Sequence, residues 1–188
     1  MDRARRVAQA SSVAARSTER SRASAILGSL LFLVVAPGTV AGLVPWWLTG
    51  WEVRPAPFGL ASLRLVGGAL LVLGAAGLLD SFARFALRGL GTPAPVAPPA
   101  RLVVTGLYRW VRNPMYVSIL AAVLGQALLL ADARLLAWGF VLWLGFHLFV
   151  VGYEEPKLRK TFGEEYDRFR ANVPRWVPRH WPWDGGSG

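Results

Sequence analysis

Residues 106–155 read GLYRWVRNPMYVSILAAVLGQALLLADARLLAWGFVLWLGFHLFVVGYEE, and this stretch decides the fold. Two apolar runs, about 116–131 and 135–153, are joined only by Asp132-Ala133-Arg134. Runs of that length on so short a connection form a tight antiparallel helical hairpin. The second helix then returns to where the first began. The Arg112-Asn113-Pro114 turn at the mouth of one helix and the Glu154-Glu155 pair at the exit of the other meet at one end. With some 16 residues, the first of these helices is barely long enough to cross a bilayer.

Two more apolar runs lie upstream. Residues 25–44 would make about 30 Å of helix with a kink at Pro37-Gly38. Pro45-Trp46-Trp47 and Trp51 follow as an aromatic belt at the far interface. Residues 63–87 carry Gly67, Gly68, Gly74 and Gly77, small residues that let a neighbouring helix approach closely. The expected fold is all-α: a polytopic membrane helix bundle of about four transmembrane helices, ending in the tight hairpin. A 188-residue chain with 54% hydrophobic residues, nine tryptophans and a mean hydropathy of +0.39 agrees with an integral membrane protein.

The net charge of +10 does not point to nucleic acid, because the basic residues flank apolar runs and carry no groove-reading motif. Six Lys or Arg lie in residues 1–24, four in 88–114 and seven after Glu155, against Arg54, Arg64 and Arg134 on the other side. By the positive-inside rule both termini are cytoplasmic, as is the end bearing Asn113 and Glu154, which suits a bacterial inner membrane. The absence of cysteine excludes disulfides and thiolate chemistry, and two histidines make a zinc site improbable, so no metal is expected. The chain divides into a flexible basic tail (1–24), two membrane helices (25–87) and a core with hairpin and amphipathic tail (88–188).

Several residues can do chemistry. Two adjacent carboxylates, Glu154 and Glu155, placed at a helix C-terminus oppose its dipole and repel each other. Either Arg109, Arg112, Lys157 or Arg159 compensates them, or one carboxylate receives a ligand ammonium or ribose hydroxyl. Pro114 suits a first helical position and Asn113 a helix N-cap. Tyr108 and Tyr116 can serve as walls or hydroxyl donors for a flat, polar-edged ligand. The segment Leu102-Val103-Val104-Thr105-Gly106 reads as extended, with backbone able to meet an adenine edge. Asp80, Arg84 and Arg88 recur every four residues on the inner half of one helix, either as a snorkelled pair or as a functional site. His147 suits a satisfied bundle histidine better than a base.

Taken together, Gly106, Tyr108, Arg112-Asn113-Pro114, Tyr116, Glu154-Glu155, Leu158, Phe162-Gly163 and Tyr166 resemble the isoprenylcysteine carboxyl methyltransferase family of membrane methyltransferases. Their signature runs Gly-x-Tyr-x-x-x-Arg-His-Pro-x-Tyr, then Glu-Glu-x-x-Leu before Phe-Gly-x-x-Tyr. The resemblance covers roughly residues 88–179 and implies S-adenosylmethionine as cofactor. Arg101, Leu102, Val103 and Val104 would lie along it, with Gly106, Tyr108, Asn113, Pro114, Met115, Tyr116, Glu154 and Glu155 completing its site. Arg84, Arg88 and Arg112 are the candidate catalytic cations. Asn113 stands where the family usually has histidine, and Ser118 where glycine often follows. Val150 stands where the prenylcysteine enzymes carry an arginine for the substrate carboxylate, which argues for another lipid or lipid-like acceptor, such as the lipid amine of phospholipid methyltransferases. Membrane sterol reductases look similar in the same regions, so an NADPH-dependent reductase is the second reading. A non-catalytic membrane adaptor is the third.

Overall fold

The computed structural model describes residues 34–55, 62–87 and 102–185. The basic tail, the start of the first apolar run, Arg88 and Arg101 lie outside these residues. Among the described residues the regular structure is all helical, with no strand. In chain order it comprises α1 (Val34–Thr49), α2 (Leu63–Leu87), α3 (Pro114–Leu130), α4 (Ala133–Phe149), α5 (Glu155–Phe162) and α6 (Glu164–Asn172). A π turn, Val150–Glu154, joins α4 to α5, so the helix is continuous over Ala133–Phe162.

Two helices, Leu63–Arg84 and Ala133–Phe162, are long and apolar enough to cross a membrane; α3, with 17 residues, is shorter. Large apolar side chains point outward on both, with Leu65 80% and Leu148 62% exposed. A water-soluble bundle would turn that face inward, whereas hydrocarbon solvates it.

Glycine decides how α2 meets α3. A Cβ on Gly74 would come 2.6 Å from the Ser118 carbonyl oxygen, and one on Gly125 would come 2.6 Å from the Leu71 nitrogen. Backbone lies against backbone, the close approach that small residues permit. Ile119, Val123 and Leu142 then form the core of the bundle, with Leu78, Trp138 and Phe146 packed around them.

The first helix departs from the sequence reading. Pro45, Trp46 and Trp47, expected beyond its end, lie inside α1, which continues to Thr49 and stops at left-handed Gly50. Pro45 is tolerated because it sits at the start of the α-helical part, just after a π turn over Thr39–Leu43. Trp46, Trp47 and Trp51 are still exposed at this end. The π turn leaves carbonyls without helical partners, and Trp138 Nε1 donates to Val40 O and Gln126 Nε2 to Ala41 O, both at 2.8 Å. These bonds tie α1 to α3 and α4.

The tight hairpin forms as expected, but its turn is Ala131-Asp132, and Ala133 and Arg134 already belong to α4. Ala131 takes the left-handed conformation that ends α3, and Asp132 caps α4 by accepting from the Arg134 backbone N–H at 2.9 Å. The Asp132 side chain is buried between the guanidinium groups of Arg134 (2.6 Å) and Arg54 (3.3 Å). Hydrogen bonds from Arg134 hold its carboxyl down at about 2 against the cost of burial. Arg64 Nη2 donates to Arg54 O, so the three arginines read as one side of the bundle do gather at one end. Glu154 lies at the other, roughly 30 Å along the helix at about 1.5 Å per residue.

Candidate functional site

The site is built from four short stretches: the C-terminal end of α2, residues 102–113, the first turn of α3 and the π turn after α4. Thr105 is extended, and Gly106 turns the chain at φ +58°, where a side chain is strained. A Cβ at Gly106 would also lie 2.2 Å from the Arg84 guanidinium carbon. The glycine therefore lets the loop backbone rest on that guanidinium. The following 3₁₀ turn, Gly106–Arg109, carries Tyr108 into the bundle end. Burial first, then the carboxylates of Glu154 and Asp80, push the Tyr108 phenol well above its usual range. It is a neutral hydroxyl at any ordinary pH.

Arg84 is held from its own helix: Nε donates to Asp80 Oδ2 at 2.7 Å and Nη2 to Oδ1 at 2.8 Å. On α3, the Tyr116 hydroxyl donates to Glu154 Oε1 at 2.8 Å, and its ring stacks on Phe146 with centroids 4.5 Å apart.

The two glutamates have different surroundings. Because the helix runs on through them, the expected opposition to a helix C-terminus does not arise. Pro156, which could have ended the helix, sits in the first turn of α5, where a proline is tolerated. Glu155 is buried and doubly compensated: Oε1 meets Arg112 Nη1 at 3.1 Å and Arg175 Nε at 2.6 Å, and Oε2 meets Arg175 Nη2 at 2.9 Å. Arg112 also donates to the Tyr166 hydroxyl at 3.3 Å. Among the described residues no ion pair reaches Glu154, whose carboxylate is held by the Tyr116 hydroxyl.

Of the cations weighed for the pair, only Arg112 serves it. Arg109 Nε donates to Trp183 O, Arg159 pairs with Asp167 at 3.3 Å, and Lys157 Nζ donates to the Tyr153 hydroxyl and lies over its ring. The second cation, Arg175, was missed by sequence reasoning. It lies on a C-terminal strap, residues 173–183, which Pro174, Pro178 and Pro182 keep out of a helix. The strap runs along residues 109–113: Arg112 N donates to Pro174 O at 2.9 Å, Arg179 N to Trp110 O at 2.9 Å and Trp183 N to Arg109 O at 2.8 Å.

Asn113 occupies the N-cap position of α3 but makes no capping bond with its side chain. Its Nδ2 donates instead to Arg175 O at 3.1 Å. The side chains of Leu102 and Val104 pack against Tyr166, Phe169 and Val173, and Val103 is buried. Pro114 is buried at the start of α3, with Met115 half-buried beside it. His147 is satisfied: Nδ1 accepts from Trp176 Nε1 at 3.2 Å, and the ring stacks on Trp143.

The phospholipid methyltransferase family matches residues 63–165, more than half of the chain and all four stretches of the site. The chain belongs to that family. The motif that begins at Gly106 falls within the match as far as Gly163, and its last residue, Tyr166, lies one position beyond it. A relative, the protein-S-isoprenylcysteine O-methyltransferase of Schizosaccharomyces pombe, is 36% identical over 78 residues, which are 41% of this chain and 33% of the relative. The aligned part thus spans about a third of that relative's length. Apolar helices dominate the matched region.

Proposed function

We propose that the protein is an S-adenosylmethionine-dependent methyltransferase acting on a lipid or lipid-like acceptor in the membrane. Glu154 is the observation that carries this reading: a carboxylate with no cation of its own among the described residues, beside one that has two. A half-buried, unpaired carboxylate is costly unless a ligand cation completes it, and the ammonium of S-adenosylmethionine fits. Tyr108 and Tyr116 add hydroxyls and ring faces that tolerate a sulfonium. Gly106 and the backbone of residues 101–104, with Asn113, Pro114 and Met115, would line the rest. Glu155 supports this set from behind rather than touching the ligand. When bound, the cofactor supplies an activated methyl group; the chain's own residues bind, orient and exclude water.

The acceptor reading follows from charge. Val150, where a prenylcysteine enzyme would carry arginine, is buried and apolar. Arg84, the nearest substitute, is committed to Asp80 in a bidentate pair. Among the described residues a desolvated acceptor carboxylate would lack a cation here, so a neutral or amine acceptor is favoured over prenylcysteine. Arg112, bound to Glu155, holds the site together rather than touching an acceptor. In the membrane we place four crossings with both termini and the site at the cytoplasmic face of a bacterial inner membrane, as the Lys and Arg distribution supports. The basic tail, the two upstream helices and the core remain the proposed division of the chain.

Calorimetry of detergent-purified protein with S-adenosylhomocysteine tests the reading. Saturable binding is expected. Binding of NADPH with none of S-adenosylhomocysteine would favour a reductase, and binding of neither would favour an adaptor.

A further inference from the structure

We infer that Arg175 is a positioning residue for the Glu154 site, setting the separation between its two halves. The inference rests on the methyltransferase reading and goes beyond it to a residue on the C-terminal strap. One half is the turn that starts α3, the other the π turn that ends in Glu154, with Glu155 next at the start of α5. Arg175 touches both. Its carbonyl oxygen accepts from Asn113 Nδ2 at 3.1 Å, and its guanidinium grips both oxygens of Glu155 at 2.6 and 2.9 Å. Asn113 lies three residues before Tyr116, and Glu155 adjoins Glu154. The residues bonded across the site, Tyr116 and Glu154, are each tethered to Arg175 through a short piece of chain.

The strap itself is fixed on either side of Arg175. Val173 is fully buried beside Tyr166 and Phe169, and Trp176 is bonded to His147 on α4. Arg175 is therefore aimed at Glu155 by anchors that do not depend on the ion pair. Charge adds to geometry. With two guanidinium groups on Glu155, neither is drawn toward Glu154. If Arg175 is lost, Arg112 alone serves two adjacent carboxylates, and the place kept for a ligand cation is compromised.

Arg175→Gln is expected to raise the dissociation constant for S-adenosylhomocysteine about tenfold or more, with unchanged stoichiometry per folded protein. Arg175→Lys should recover part of the affinity, because an ammonium restores the charge but not the two-point grip; it also serves if the glutamine variant does not fold. Arg159→Gln, which breaks a comparable pair with Asp167 away from the site, should leave the constant unchanged. A purely structural Arg175 would lower the melting temperature without moving the dissociation constant, and that result overturns the inference while leaving the methyltransferase reading intact. An equal loss in Arg159→Gln would overturn it as well, since general loosening would then suffice. A wild type that binds no S-adenosylhomocysteine removes the functional reading itself, and the inference with it.

Discussion

Glu154→Gln is expected to weaken S-adenosylhomocysteine binding by tenfold or more while leaving the melting temperature in detergent nearly unchanged. A charge-assisted contact is worth about 1.5–3 kcal/mol, and every 1.4 kcal/mol or so is a factor of ten in affinity. The fold loses little, because a glutamine oxygen still accepts from the Tyr116 hydroxyl, the bond that holds Glu154 in the free protein. Glu155→Gln should act chiefly on the fold, with a smaller loss of affinity than Glu154→Gln because it disturbs the site only through its tether to Arg175. The Glu155 side chain is 11% exposed and faces two guanidinium groups. Removing one partner of such a buried cluster costs on the order of 3 kcal/mol, since the arginines are left uncompensated. Melting curves and calorimetry on both variants separate the roles. Equal, negligible changes in affinity would mean that the pair is structural throughout.

The second large effect belongs to Gly125→Ala. The new methyl carbon would sit 2.6 Å from Leu71 N and 2.7 Å from Gly67 O, both backbone atoms that cannot rotate away. Helices α2 and α3 must then separate, at a cost of about 1–3 kcal/mol or more. Gly68→Ala is the control, because a Cβ there meets nothing within 4 Å. It should be neutral or slightly stabilising through better helix propensity. Since α2 carries Asp80 and Arg84 and α3 carries Tyr116, Gly125→Ala should also weaken ligand binding. Equal stability of the two variants would show that the close approach of α2 and α3 does not hold the bundle together.

Much of this was legible in the sequence because it is local. Helix α2 has the bounds that the apolar run 63–87 indicates, and the hairpin turns at Ala131-Asp132, shorter than the expected Asp132-Ala133-Arg134 because Ala133 and Arg134 are already helical. The motif that marks the family is local too, and the match over residues 63–165 bears out the resemblance. Helix ends were less legible. Pro45 and Glu154-Glu155-Pro156 look like stop signals, yet a π turn beside each absorbs the change in register and the helices continue. Pairing was least legible. Four cations, two before α3 and two just after the glutamates, were plausible partners and one, Arg112, was correct, whereas Arg175 reaches Glu155 only because the strap folds back over residues 109–113. Nothing in the spacing of charges records that return. The same long-range contact took the Asn113 side chain from the cap that its position suggested.

Transfer of a labelled methyl group is the most direct measurement of the central claim. Protein reconstituted with a membrane lipid extract is given S-adenosylmethionine labelled on its methyl group, with a prenylcysteine analogue in a parallel reaction. The expected result is label in the organic lipid phase, strongly reduced in Glu154→Gln, with little in the prenylcysteine analogue. Label that remains entirely in the cofactor, with wild-type protein that is folded by its melting curve, would contradict a methyltransferase acting on lipid.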